Sequence, residues 1–312
     1  MTANKSDRVA VCSRSFSRHP ILKAELLKRY TRVTFNEEGK SLTGPELVAF
    51  LAGHDKAIIA LETLDEGTLS QLPELKVIGK YGVGIDSLDL DAMRRHGVRL
   101  GWTKGVNRRS AAELTLAFVI VSLRHVVPSN REILAGGWRQ VQGELLTNKT
   151  VGIVGCGHIG KDLVQILQPF ECKILVNDIV DYGDFYSQFG VKPVSIEELM
   201  RESDVVTLHV PLDESTHNMI NSERLELMKP TAILINAARG GLVDEHALKE
   251  VLSNNKIKAA AFDVFAQEPP QDRELLSLNN FLATPHIGGS AEEAILAMGY
   301  AAIDGLDSNE IP

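Results

Sequence analysis

Three ionisable side chains stand just past apolar runs in the second half of the chain, on turns rich in glycine, alanine or proline. Arg239 lies in Asn236-Ala237-Ala238-Arg239-Gly240-Gly241, Glu268 in Asp263-Val264-Phe265-Ala266-Gln267-Glu268-Pro269-Pro270, and His286 in Thr284-Pro285-His286-Ile287-Gly288-Gly289-Ser290. A guanidinium beside a Gly-Gly turn has the clearance to hold a carboxylate with a two-pronged fork. A single Arg or Glu on a loop is usually solvated, and a single His is more often structural than catalytic. The three gain weight from their shared position at the strand ends of one sheet. A fourth feature lies upstream. Gly155, Gly157 and Gly160 satisfy G-x-G-x-x-G between an apolar strand, Thr150 to Val154, and an amphipathic helix from about His158 to Gln168. Gly155 allows a sharp turn, Gly157 lets backbone approach a pyrophosphate, and Gly160 lets the helix pack close to the strand. The helix start at His158 and Ile159 offers unpaired N–H groups and a positive dipole end to the phosphates. Asp178 ends the next strand, where its carboxylate can accept both ribose hydroxyls. No Arg or Lys follows in Ile179-Val180-Asp181 to receive a 2′-phosphate, so the pattern favours NAD over NADP.

The elements that must position these groups follow an α/β rhythm. Strands are expected at Arg8 to Ser13, Thr31 to Phe35, Lys56 to Leu61, Lys76 to Lys80 and Val98 to Trp102, with helices between them. This alternation predicts a parallel sheet covered on both faces. A long helix from about Arg109 to His125 then leads to a second domain. There, six strands are expected at Thr150 to Val154, Lys173 to Asn177, Val205 to Val210, Ala232 to Asn236, Ala259 to Asp263 and Phe281 to Thr284. A last helix, Ala291 to about Asp304, has no strand left to feed and is expected to return to the first domain. The fold class is α/β with two doubly wound parallel sheets: a Rossmann NAD-binding domain, 103–286, inserted into a flavodoxin-like substrate domain, 1–102 completed by 287–312.

The 312 residues suffice for two cored domains, and 44% hydrophobic with 24% charged residues is ordinary for a globular protein. A net charge of −8 with scattered Lys and Arg leaves no footprint for nucleic acid. Cys12, Cys156 and Cys172 make neither a metal spacing nor a disulfide framework, which fits a reducing cytoplasm. The N-terminus shows no apolar signal segment, and Leu114 to Leu123, the most apolar helix candidate, is too short to span a bilayer. No membrane partner and no metal site are expected.

The sequence resembles the D-2-hydroxyacid dehydrogenase family. The matching stretches are Lys80 to Asp89, Ser110 to Glu113, Val151 to Asp178, His209 to Thr216, Asn236 to Asp244, Asp263 to Pro270 and His286 to Ala294, in the family's order. The wording of Asn236 to Glu245, Asp263 to Pro270 and His286 to Ala294 is most similar to the phosphoglycerate dehydrogenase branch. The resemblance implies that His286 is the general acid/base, Glu268 its carboxylate partner, and Arg239 the clamp on substrate carboxylate and carbonyl. It implies that Asp263 holds the nicotinamide carboxamide, helped by backbone at Ala237 and Ala238, with Gly289 nearby. Val210, Pro211 and Thr216 would line the adenosine and phosphate region. Lys80, Tyr81, Gly82, Val83 and Gly84 would meet the substrate; by residue type alone this loop reads equally well as an ordinary β-α turn. A two-fold homodimer is implied too, and Leu114 to Leu123 with Pro128 to Gly143 carries more apolar surface than one connection needs.

One departure concerns the substrate. Phosphoglycerate enzymes carry an arginine near the end of the third strand of the first domain, where this chain reads Ile59-Ala60-Leu61-Glu62. Lys80 and Arg139 are candidate replacements, but a carboxylate at Glu62 disfavours a neighbouring phosphate. The expected activity is therefore interconversion of a D-2-hydroxy acid and its 2-oxo acid with NAD, on 3-phosphoglycerate or, as the rival, hydroxypyruvate or glyoxylate. The competing class is a non-enzymatic NAD(H)-sensing binding protein, like the C-terminal-binding-protein corepressors.

Overall fold

The computed structural model describes residues 5–312 and divides into two compact units, Met1–Asn107 with Ala291–Pro312, and Arg108–Ser290. The boundaries fall a few residues later than the sequence suggests. In the second case the reason is visible: Ile287 and Gly288 donate their N–H groups to Asp263 and so stay with the second unit.

The first unit is a five-stranded, wholly parallel sheet of β1 (Lys5–Val11), β2 (Tyr30–Phe35), β3 (Lys56–Ile59), β4 (Val77–Lys80) and β5 (Arg99–Gly101), ordered β2-β1-β3-β4-β5. The inner parts of its central strands, residues 9–11, 57–59 and 77–79, carry no charged side chain because helices cover both faces. Val9, Val11 and Ile58 pack with Leu22, Leu26, Ala302 and Leu306 on one side, while Ala10, Ala57, Ile59 and Ile78 pack with Leu47, Leu51 and Met93 on the other. The final helix, Glu292–Gly305, lies on β4 and β5, as its leftover position in the sequence suggested. It reaches them because Gly101 and Gly305 have no side chains; a Cβ on Gly101 would stand 2.1 Å from the Gly305 carbonyl oxygen.

The second unit holds seven parallel strands: β6 (Thr150–Val154), β7 (Lys173–Asn177), β8 (Lys192–Pro193), β9 (Val205–Leu208), β10 (Ile233–Asn236), β11 (Ala259–Phe262) and β12 (Phe281–Ala283). Their order, β12-β11-β10-β9-β6-β7-β8, reverses direction between β6 and β9, which makes it a doubly wound dinucleotide-type sheet. Six of these strands match the expected runs; β8 is an edge strand of two residues with no apolar run to announce it. Helices Arg14–Arg18, Val126–Leu134, Gly183–Phe189 and Arg273–Ser277 were not anticipated either. Helix Arg108–Leu123 packs on β10, β11 and the helix His158–Leu167. No single helix among the described residues is long and apolar enough to cross a membrane; Arg108–Leu123 and Val126–Leu134 meet that test only as a pair bent by 61°.

The glycine contact generates a stability prediction. Gly101→Ala forces backbone apart on β5 and should cost about 1–3 kcal/mol, the usual range for overpacking. A lowered urea midpoint is expected, and an unchanged midpoint would show that the helix is not held this closely.

Candidate active site

All strands of the second unit point the same way, so their carboxyl ends share one edge, and the singled-out residues follow those ends. The glycine turn follows β6 beside the β6/β9 reversal. A Cβ on Gly160 would stand 2.2 Å from the Gly155 carbonyl oxygen, so only glycine lets the helix start this near the strand. At Gly157 the same imaginary Cβ meets nothing within 4 Å, which leaves room for a phosphate. The helix His158–Leu167 has Gly157 as N-cap without a side-chain cap, so its first N–H groups are not covered from within. Asp178, after β7, turns Oδ2 onto the Cys156 N–H at 2.5 Å and Oδ1 onto the Val180 N–H at 2.8 Å. The ribose-binding candidate and the phosphate-binding turn are thus joined by a direct bond. Burial, helped by the Asp178 charge, pushes the Cys156 thiol up to about 11, so it is no nucleophile at neutral pH. The donors, the open space at Gly157 and the carboxylate fit a dinucleotide.

His286 and Glu268 meet. Nδ1 of His286 lies 2.9 Å from Oε2 of Glu268, with both side chains about two-fifths exposed, at 40% and 38%. Oε1 of the same carboxylate accepts the Phe265 N–H at 3.2 Å, which fixes its orientation. A carboxylate only accepts, so the neutral imidazole carries its proton on Nδ1 and presents Nε2 as a lone pair.

Three groups hold the dyad in place. Asp263, only 1% exposed, accepts from the Ile287 N–H at 2.8 Å, the Gly288 N–H at 2.7 Å and the Thr284 hydroxyl. His286 itself sits in the left-handed region, φ 55°, and donates its N–H to the Asp263 carbonyl at 2.9 Å. Ser110, on the helix Arg108–Leu123, donates to the Gly288 carbonyl at 2.7 Å. Glu245, at the start of the helix Glu245–Ser253, accepts the Ala266 N–H at 2.7 Å and so fastens the turn that carries Glu268. Burial, with the charges of Asp272 and Glu268 nearby, moves the Glu245 pKa above the usual carboxylate range.

Arg239 follows β10 on a turn shaped by Asn236, whose amide donates to the Arg239 carbonyl at 2.8 Å and accepts the Ala238 N–H at 3.1 Å. Its guanidinium donates one N–H to the Ala238 carbonyl at 2.7 Å. Ala237 and Ala238 are nearly buried beneath it, Val210 follows β9, and Gly289 closes the His286 turn. The Thr216 hydroxyl is engaged within its own loop, accepting from Asp213 N–H and donating to the Pro211 carbonyl, both at 2.8 Å. His209, which the sequence did not single out, hydrogen-bonds Thr207 at 3.0 Å through Nε2, and desolvation lowers its pKa to about 4.

In the first unit, the loop after β4 keeps part of its expected character. No hydrogen bond within the described residues uses the Val83 and Gly84 N–H groups, while the Val83 carbonyl accepts from Trp102 at 3.1 Å. Gly82 takes φ 128°. Lys80 departs from expectation: it is only 4% exposed and its ammonium donates to the Ala60 carbonyl. Tyr81 is buried as well. Arg139 is no replacement in this chain's own site either. It lines a cavity with Lys258, Ala259 and Phe281, at the amino ends of β11 and β12, opposite the edge that carries His286.

Fold, glycine turn and dyad define a dinucleotide-binding α/β protein with a His–Glu pair at the ligand edge of its sheet. Residues 116–288 match the NAD-binding domain of D-isomer specific 2-hydroxyacid dehydrogenases. The D-3-phosphoglycerate dehydrogenase of Methanocaldococcus jannaschii is 37% identical over 84% of this chain, but only 51% of its own length is matched, so the chain spans about half of that relative. The hydroxypyruvate reductase of Thermotoga maritima is 33% identical over 89% of this chain and 93% of its own. The D-lactate dehydrogenase of Aquifex aeolicus, solved with NAD and lactic acid, superposes with a TM-score of 0.82 at 26% identity, covering 96% of this chain and 93% of that one. The chain belongs to the D-isomer specific 2-hydroxyacid dehydrogenase family.

The dyad sets a kinetic test. Glu268→Gln removes the carboxylate that holds Nδ1 of His286, so kcat should fall about 10²-fold or more in both directions. Steady-state rates of 2-oxo-acid reduction and of the reverse oxidation check this; an unchanged kcat would remove Glu268 from the dyad.

Proposed function

We propose that this protein interconverts a small D-2-hydroxy acid and its 2-oxo acid. The observation that carries the reading is the 2.9 Å contact between His286 Nδ1 and Glu268 Oε2, on the sheet edge that also bears the glycine turn. NAD bound at that turn supplies the hydride acceptor or donor. The chain's own part is proton handling and charge placement. In oxidation, Nε2 of neutral His286 takes the hydroxyl proton, and Glu268 stabilises the imidazolium that forms. In reduction, the imidazolium returns that proton to the oxygen of the former carbonyl. Arg239 is assigned to the substrate carboxylate and the polarised carbonyl, where a guanidinium fork matches two oxygens. Asp263 acts as a positioning residue, since three donors already occupy its carboxylate; it retains acceptor capacity for the nicotinamide amide at Oδ2. The backbone N–H groups of Val83 and Gly84 are assigned to substrate binding.

We assign the protein to a reducing compartment, the cytoplasm; three free thiols support this reading. We assign it a homodimeric state as well. Helix Val126–Leu134 buries none of its residues, and Leu134, Trp138 and Leu145 are 79%, 84% and 69% exposed. An apolar strip of that kind calls for a partner, and a second copy offers the same strip by two-fold symmetry. Sedimentation at micromolar protein should give twice the chain mass, and a monomer would contradict the assignment.

The activity is tested by NADH oxidation with glyoxylate, hydroxypyruvate and 3-phosphohydroxypyruvate. Turnover of at least one is expected, faster with NADH than with NADPH because a 2′-phosphate would face Asp178. His286→Ala should lower it by about 10²–10⁴-fold. Tight NADH binding with turnover of none would favour a cofactor-sensing binding protein.

A further inference from the structure

The helix Arg108–Leu123 sends polar side chains from its first turn in two directions, and the roles above use only one of them. Arg109 donates from Nη2 to Oδ1 of Asp162 at 2.9 Å, while Ser110 donates to the Gly288 carbonyl at 2.7 Å. Neighbouring residues on a helix point about 100° apart, so one turn reaches two separate elements. The first is the helix His158–Leu167, which opens at the glycine turn; the second is the loop that carries His286. All of these residues lie in the second unit.

Stability alone is a poor account of Asp162. It is 6% exposed and belongs to the buried residues of its helix, with Leu163, Val164 and Leu167. Its Oδ2 is buried and finds no hydrogen-bond partner among the described residues. Its ion-pair partner Arg109 is 57% exposed. A buried carboxylate with one partner loses hydration that the pair restores only in part, and an apolar residue often serves stability as well or better. The attested use of such pairs is to fix register. Here the register has a fixed origin, because Gly160 seats the helix His158–Leu167 against the Gly155 carbonyl and so gives Asp162 a set place. One residue beyond Arg109, the other helix meets the loop of His286 closely. Besides the Ser110 bond, a Cβ on Gly288 would stand 4.0 Å from the Ala111 Cβ and 3.9 Å from a Leu114 methyl. The Gly288 N–H is held by Asp263 at 2.7 Å, so both backbone groups of this residue are tied.

We propose that Asp162, Arg109 and Ser110 are positioning residues for His286: the carboxylate sets the first turn of the helix Arg108–Leu123, and Ser110 passes that placement to the loop of His286 through the Gly288 carbonyl. This rests on the dehydrogenase reading above and deepens it. The role needs none of the three to touch the reacting atoms. Its effect is to register the general acid/base to the turn that holds the cofactor, where a misplacement of about 1 Å costs about 10²-fold in rate. The two bonds act in series, so breaking either one frees the loop and breaking the second adds little.

The test is a double-mutant cycle of Asp162→Asn and Ser110→Ala, assayed with the fastest 2-oxo acid of the panel above. Asp162→Asn keeps the shape and leaves the half-exposed Arg109 in water, and Ser110→Ala leaves the buried pair intact, so the two variants load the fold differently. Each should lower kcat about 10-fold while KM for NADH stays within about twofold of wild type. The double variant should fall within about twofold of the slower single variant. Arg109→Lys, which can still pair, should retain most of the rate. Nitrogen-15 NMR of His286 is read in parallel, and in each variant the neutral imidazole should move from its wild-type signals toward a mixture of tautomers. Single variants with wild-type kcat, losses that multiply in the double variant, or imidazole signals that stay in place overturn the proposal. A wild type that turns over no 2-oxo acid would instead fail the dehydrogenase reading, and the imidazole signals would still decide whether Asp162 and Ser110 place His286.

Discussion

The buried carboxylate of Asp263 is the constraint on which the site depends. A carboxylate taken out of water is costly unless its oxygens are satisfied, by several kcal/mol. Here two backbone N–H groups and a hydroxyl satisfy it, all from the segment Thr284 to Gly288. Hydrogen bonds to a charged acceptor contribute about 1.5–3 kcal/mol each, more than the 1–2 kcal/mol that a left-handed residue such as His286 costs. The loop is therefore held in a shape that a free chain would avoid, and that shape aims the imidazole at Glu268.

From this follows a division of labour between the two histidine nitrogens. Glu268 occupies Nδ1, which leaves the other nitrogen for the proton exchange proposed above. Phe265 N–H and Oε1 fix the carboxylate, and Glu245 fixes the turn beneath it through Ala266. The first bond shapes the loop after β11 from within, and the second ties that loop to the helix Glu245–Ser253. The sheet supplies parallel strand ends at one edge, and the loops lock them together. No nucleophile is called for, which agrees with a Cys156 thiol held up near 11.

Much of this was legible in the sequence because a parallel sheet buried on both faces writes each strand as an apolar run, as in Val205-Val206-Thr207-Leu208. A polar residue just beyond such a run marks the edge where ligands bind, and Arg239, Glu268, His286 and Asp178 could be found in that way. Lys192–Pro193 could not, since two residues without apolar character carry no period. The Ser110 bond to Gly288 and the tie from Glu245 to Ala266 were hidden for another reason. They join residues far apart in the chain, and composition does not record which donor meets which acceptor. Lys80 shows the opposite error: a cation at a strand end looked available, yet burial turns it onto a carbonyl.

The central claim is that Glu268 fixes His286 as the Nδ1–H tautomer and leaves Nε2 for the exchanged proton. Nitrogen-15 NMR of histidine-labelled protein, with His286 assigned by its loss in His286→Gln, reads this directly. The account predicts that neutral His286 shows a protonated Nδ1 and an unprotonated Nε2. A neutral His286 with its proton on Nε2 would contradict it.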